Sequence, residues 1–172
     1  MKKYLRCHCV EARPMTRGSF LKKRGGVIAS NANPADKGYL VKYPDGYVSW
    51  CPKAVFERQG FPLEDGTKIT PQDIRDFVNL GYNAVSTIKS RGGKPVTLVE
   101  REYPTGFTTF ETASCVDPKN YAEHIGADIC ADRLDSELWS HLGFMLQWAN
   151  CGLSDIGAKY AKEDAAAKKK AK

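Results

Sequence analysis

The sequence has no apolar run near the roughly 20 residues that a membrane-spanning helix needs. Its opening residues, Met1-Lys2-Lys3-Tyr4-Leu5-Arg6-Cys7-His8, lack the apolar core of a signal peptide. Both absences point to a soluble protein of a cytoplasm, with no membrane partner. There is no His-Glu-x-x-His pattern, P-loop, dinucleotide-binding glycine run or nucleophile elbow. Without a nucleophile, base or metal set, the chain is expected not to be an enzyme and to carry no cofactor. Histidine is scarce: the chain has 3, and His124 and His141 stand too far apart along one helix to share a ligand.

Cysteine is less scarce, with 6 residues. At 172 residues a core forms without staples, and no export signal places the chain where disulfides persist. Free, mostly buried thiols are therefore expected. Cys7-His8-Cys9 looks like a metal cluster, but zinc ligands are usually separated by two to four residues, and no second pair follows. In a strand the two thiols would face one way and the imidazole the other, so no metal site is expected.

What is present is an ordinary globular composition, 42% apolar and 10% aromatic, with a net charge of +6. The charge is uneven. Residues 1–26 carry +7, residues 159–172 carry +4, and the stretch between sums to −5. A duplex-gripping protein usually spreads its cations over a folded face, whereas here the excess lies at the two ends. The last segment, rich in Ala and Lys, is expected to be a frayed helical or disordered solubilising tail.

Residues 4–12 alternate and end before Pro14, which predicts a strand. Thr16 then caps a helix through Lys23 that Gly25-Gly26 ends, and residues 31–37 make a loop. Residues 38–43 and 47–50 flank Pro44-Asp45-Gly46 as a hairpin, and Pro52 opens a short helix over 53–58. In the second half, Thr70-Pro71-Gln72-Asp73 is a helix start. The stripe Ile74, Phe77, Val78, Gly81, Val85 and Ile88 predicts that this helix runs to Gly92-Gly93. Residues 96–103 and 107–116 form a second hairpin around Pro104-Thr105-Gly106.

A long helix follows Asp117-Pro118-Lys119-Asn120, with Ile125, Ile129, Leu134, Leu138, Leu142, Met145 and Ala149 as its apolar face. The expected fold is α+β: a small β-rich accessory module (1–62), a helix–hairpin–helix domain (67–153) and a basic tail (154–172). Both helices should pack on one face of the hairpin, with a second copy completing the core.

Several residues suit a polyanionic ligand that carries an aromatic base. Phe107 follows a glycine at a turn, where a ring is available to stack on a base, although a core position is an equal reading. Arg101, near Arg91 and Lys94, and Arg133, one helix away, offer guanidinium forks to phosphate. A solvated charge or an ion pair is the plainer alternative for each, and for Arg133 the i, i+4 partner is Glu137. Asp117, Lys119 and Asn120 bring a carboxylate, an ammonium and an amide to a helix start, where capping is the competing role.

The string Gly106-Phe107, then Ser114-Cys115-Val116-Asp117-Pro118-Lys119-Asn120-Tyr121, Ile125-Gly126 and Trp139 with Gly143, resembles the phage gene-product-forty-nine family. That family includes the first Thoeris anti-defense proteins, sponges that hold cyclic ADP-ribose-type signals, and in some cases cyclic oligonucleotides, without cleaving them. The resemblance covers residues 70–150 and implies a homo-oligomer in the host bacterial cytoplasm. It further implies a cyclic nucleotide second messenger as partner, Phe107 as stacking ring, Asp117 or Asn120 as polar contact, and Arg133 as a phosphate or ribose contact supplied across a subunit interface. Residues 11–16 and 38–50 separately resemble a segment that recurs at the start of small phage proteins. The alternative function is a nucleic-acid-associated accessory protein that binds through its basic ends.

Overall fold

The computed structural model describes residues 1–25 and 33–170, with side chains to Glu163. Gly26, part of the expected loop at 31–37, and the last two residues of the tail lie outside the described residues. The fold is α+β and carries two separate three-stranded antiparallel sheets.

The first sheet has the order β1 (Glu11–Thr16), β2 (Lys37–Lys42), β3 (Val48–Pro52), with α1 (Arg17–Arg24) after β1 and α2 (Lys53–Gln59) after β3. Thr16 caps α1 by accepting from the Ser19 N–H at 3.3 Å, and Gly25 ends it at φ 69°, where a side chain would be strained. The hairpin and both helices lie where the sequence predicts them. The first strand does not: it covers Glu11–Thr16, and residues 4–10 form no strand. β1 is an edge strand, where Pro14 leaves no ladder bond unmade. The preceding segment is used elsewhere, with the Cys7 thiol 3.7 Å from the Met145 carbonyl and the Cys9 thiol 4.0 Å from that of Gly66.

In the second half α3 (Pro71–Asn79) opens with a capping box. Thr70 accepts from the Asp73 N–H, and Asp73 accepts from the Thr70 N–H at 2.7 Å. The helix then stops, which corrects the sequence expectation: residues beyond Gly81 form β4 (Tyr82–Lys89), and the sheet runs β4, β5 (Pro95–Glu102), β6 (Thr108–Ser114). The stripe that predicted a longer helix contains Val85 and Ile88, whose branched side chains suit a strand equally well. Pairing with β5 makes the segment a strand, and Gly81 permits the close approach, because any Cβ there would collide with the Glu102 carbonyl.

A 3-10 turn (Pro118–Asn120) leads to α4 (Glu123–Cys151), which crosses β5 and β6. Its buried row is Gly126, Cys130, Leu134, Leu138, Leu142 and Leu146. Leu134, Leu138 and Leu142 lie on the expected face, but Ile125, Ile129 and Met145 are exposed. A row at spacing four precesses about 40° per step, so the buried face turns along the helix. Its first half packs Cys130 and Leu134 on Val99 and Ala113 of the sheet. Its second half packs Leu138 and Leu142 on Ile74 of α3 and on Tyr103, just past β5. The two helices thus do not share one sheet face; α3 packs on α4 and the end of β5. Each buried leucine contributes about 2 kcal/mol, so this row holds the half together. A last helix, α5 (Ile156–Lys170), occupies the tail, the helical one of the two forms expected for it.

Among the described residues no helix is long and apolar enough to cross a membrane. All six cysteines are free, but only Cys130 is buried; Cys151 is exposed and the others are half-buried, which corrects the expectation of mostly buried thiols.

Candidate functional site at the ends of an edge strand

The expected ligand residues gather around β6, the edge strand beside α4. At its start, Gly106 takes φ 80° and donates to the Tyr103 carbonyl at 2.8 Å, closing the turn. This leaves Phe107 60% exposed. The Tyr103 N–H donates to the Phe107 carbonyl at 2.9 Å. By antiparallel alternation, Thr109, Glu111 and Ala113 therefore aim their main chain at β5, while Thr108, Phe110, Thr112 and Ser114 aim theirs outward. Arg133 reaches this open edge from α4. Its Nη1 donates to Glu111 Oε1 and to the Thr112 carbonyl, both at 3.0 Å, rather than to Glu137. Glu137 instead lies 3.8 Å from His141.

At the far end of β6, Asp117 caps the 3-10 turn by accepting from the Lys119 N–H at 3.0 Å. Its carbonyl also lies 3.0 Å from the Cys115 thiol. Lys119 is exposed. Asn120 lines a small hollow of about 80 Å3 with Cys115, Tyr121, Ile125 and Ile129. Behind it the Tyr121 hydroxyl bonds Thr87 at 2.8 Å and Thr97 at 2.9 Å, with Glu123 on Thr87. No side chain caps α4 itself.

One strand thus separates two groups: Phe107 stands at one end of β6, and Asp117, Lys119 and Asn120 stand beyond the other. The 7 residues of β6 alone span about 23 Å. Arg101 differs from all of these. It is 4% exposed, and its guanidinium donates to Asn83 at 2.8 Å and Asp135 at 2.6 Å. In this fold its Nε and Nη1 are turned inward to those two partners.

A larger cleft of about 230 Å3 lies on the second half of α4, lined by Lys68, Ile69, Trp139, Gly143, Gln147 and Asn150 among others. None of the expected ligand residues lines it. Trp139 and Gly143 belong to the string that carries the family resemblance, but their spacing alone reads as helix packing. Among the described residues no group of three or more His, Cys, Asp or Glu is placed to hold a metal.

Residues 69–149 match the phage protein (N4 Gp49/phage Sf6 gene 66) family. The match starts one residue before the α3 cap and ends two residues before the end of α4, so it takes in α3, the second sheet and nearly all of α4. The first sheet and α5 fall outside it. No curated protein and no solved structure matches the chain.

Proposed function

We propose that the protein is a phage anti-defense sponge: a homo-oligomer that binds a cyclic nucleotide signal of the cyclic ADP-ribose type in the host bacterial cytoplasm and returns it uncleaved. The observation that carries this reading is Phe107, a ring left 60% exposed on a hydrogen-bonded hairpin turn inside the family-matched segment. A solvent-facing phenyl ring is a stacking surface for a base.

Both hollows, about 80 and 230 Å3, are smaller than the roughly 300–1,000 Å3 of small-molecule sites. A second copy supplies the remainder. Two β6 edges that pair antiparallel about a two-fold axis bring Phe107 of one copy to the Asp117–Asn120 turn of the other. In that pairing Arg133 gives up the Thr112 carbonyl and turns to a ligand phosphate or ribose. Lys119 adds a cation, and Asp117 avoids repelling the phosphates by facing a ribose hydroxyl.

The test is a melting-temperature screen against cyclic ADP-ribose isomers, cyclic dinucleotides and cyclic trinucleotides, followed by heat release and chromatography of any hit. A stabilising ligand recovered intact supports the sponge; recovery of a linear product overturns it. Phe107→Ala and Asn120→Ala should each abolish binding. Mixed in equal amounts, they should restore about a quarter of the sites if each site draws on two copies. No restoration would overturn the two-copy site.

A further inference from the structure

The charge of the chain is divided between its two halves. Residues 1–62 hold 12 Lys or Arg against Glu11, Asp36, Asp45 and Glu57, a net +8, while residues 63–153 sum to −5. The structure makes much of this basic excess part of a folded sheet with two helices rather than a loose end. Three of the four acids are already paired: Glu11 with Lys42 at 3.1 Å, Asp36 with Arg17 at 3.9 Å and Glu57 with Lys53 at 3.7 Å. Asp45 accepts from the Tyr47 N–H at 2.9 Å within its own turn. Among the described residues, the other nine cations of this half have no carboxylate within 4.0 Å.

The tip of the β2–β3 hairpin carries a group of aromatic rings, and the segment that bears Lys2, Lys3 and Arg6 brings His8 to it. The Tyr43 and Tyr47 rings lie 5.8 Å apart, and His8 meets Tyr43 edge-on at 6.2 Å. Tyr47 is 55% exposed. His8 reaches the hairpin because the segment before β1 alternates: Cys7 and Cys9 turn inward to the Met145 and Gly66 carbonyls, while Arg6 and His8 are exposed. The same segment carries Lys2 and Lys3, both exposed.

We propose that this module binds single-stranded nucleic acid, with bases stacked on Tyr47, Tyr43 and His8 and the backbone tracked by Lys2, Lys3 and Arg6. Rings on a hairpin tip beside unpaired cations are the two components of single-strand binding: stacking that accepts any base, and phosphate neutralisation. Duplex DNA hides its base faces and could use only the second. The inference is independent of the sponge reading, because its site lies in the half outside the family match.

The test is fluorescence anisotropy of the full-length chain with labelled DNA and RNA single strands of about 20 nucleotides and the matching duplexes, over a salt series. Single strands should bind more tightly than duplexes, and the preferred sugar names the natural ligand. Tyr47→Ala should weaken binding about 5- to 100-fold while Tyr47→Phe retains it. Replacing Lys2, Lys3 and Arg6 together by Ala should reduce the slope of log K against log salt by about 2. His8→Ala, outside the sheet, repeats the stacking test should Tyr47→Ala fail to fold. Four outcomes overturn the proposal: no binding at low salt, equal affinity for duplex, ring variants that bind like the original, or binding lost on deletion of residues 154–172 alone.

Discussion

Gly126 of α4 lies directly over Thr97 of β5, so closely that a Cβ on the glycine would stand 2.7 Å from the threonine Cβ and closer still to its Oγ1. Thr97 is fully buried, and its hydroxyl is tied to Tyr121. The pair fixes the height of the helix above the sheet and, through Tyr121, the position of the turn that carries Asp117, Lys119 and Asn120.

Two glycines of the same helix should therefore respond in opposite ways to alanine. Gly126→Ala overpacks the crossing at a cost of about 1–3 kcal/mol, more than the helix gains in propensity, and Thr97→Ala should recover part of the loss. Gly143 has no atom of the described residues within 4 Å of where its Cβ would stand, so Gly143→Ala should stabilise by about 1 kcal/mol. Urea unfolding of the variants measures both.

Arg101 should act on the fold and leave ligand affinity alone. Asp135→Asn removes the charge from its 2.6 Å partner and should cost about 1–2 kcal/mol, since Asp135 is itself 43% exposed and partly screened. Calorimetric affinity for any ligand found in the screen should stay unchanged. A large loss of affinity without a loss of stability would return Arg101 to the site.

Acid should loosen the start of α3. Burial alone would push the Asp73 carboxyl up, but the N–H groups of Glu64 and Thr70 and the Thr70 hydroxyl together outweigh it and hold its pKa below the ordinary value of 3.8. The folded state thus binds fewer protons than the unfolded one. The stabilisation is complete above that ordinary value and is lost as pH falls through the depressed one. Asp73→Asn should cost about 1–3 kcal/mol at neutral pH and flatten the acid limb of the stability profile.

The cysteines should separate by reactivity. Burial, and then the negative charge of Glu111, raise the Cys130 thiol above its ordinary range, so it stays protonated and covered. A thiol reagent at neutral pH should label the exposed Cys151 first and reach Cys130 only as the chain unfolds. Early labelling of Cys130, read by mass spectrometry of peptides, would show that α4 lifts from the sheet in the native state.

Much of this architecture is legible in the sequence because its signals are local. Thr16 and Thr70 mark helix starts, and Gly25, Gly46 and Gly106 mark stops and turns that need positive φ. The strand after Gly81 is not legible locally, because β4 is defined by its pairing with β5, whose Glu102 carbonyl closes on Gly81 from a distant part of the chain. The α4 face was misread in the same way. Isoleucine counts as core in any pattern, whereas the buried Gly126 and Cys130 become core only once a sheet lies beneath them. Among the site residues, the turn left Phe107 open to an exposed or a core position, and the structure exposes it. The burial of Arg101 depended on Asn83 and Asp135, residues brought to it by tertiary structure.

The hold of Arg133 on the Thr112 carbonyl also bears on how the protein survives at high concentration. An edge strand with open carbonyls recruits any passing extended chain, which is how aggregation begins. A guanidinium already seated there, with Glu111 beside it, puts charge where a stray strand would need to dock. Replacing Arg133 with an apolar residue should therefore lower solubility during expression whether or not any ligand is present, and turbidity at rising protein concentration would register the change.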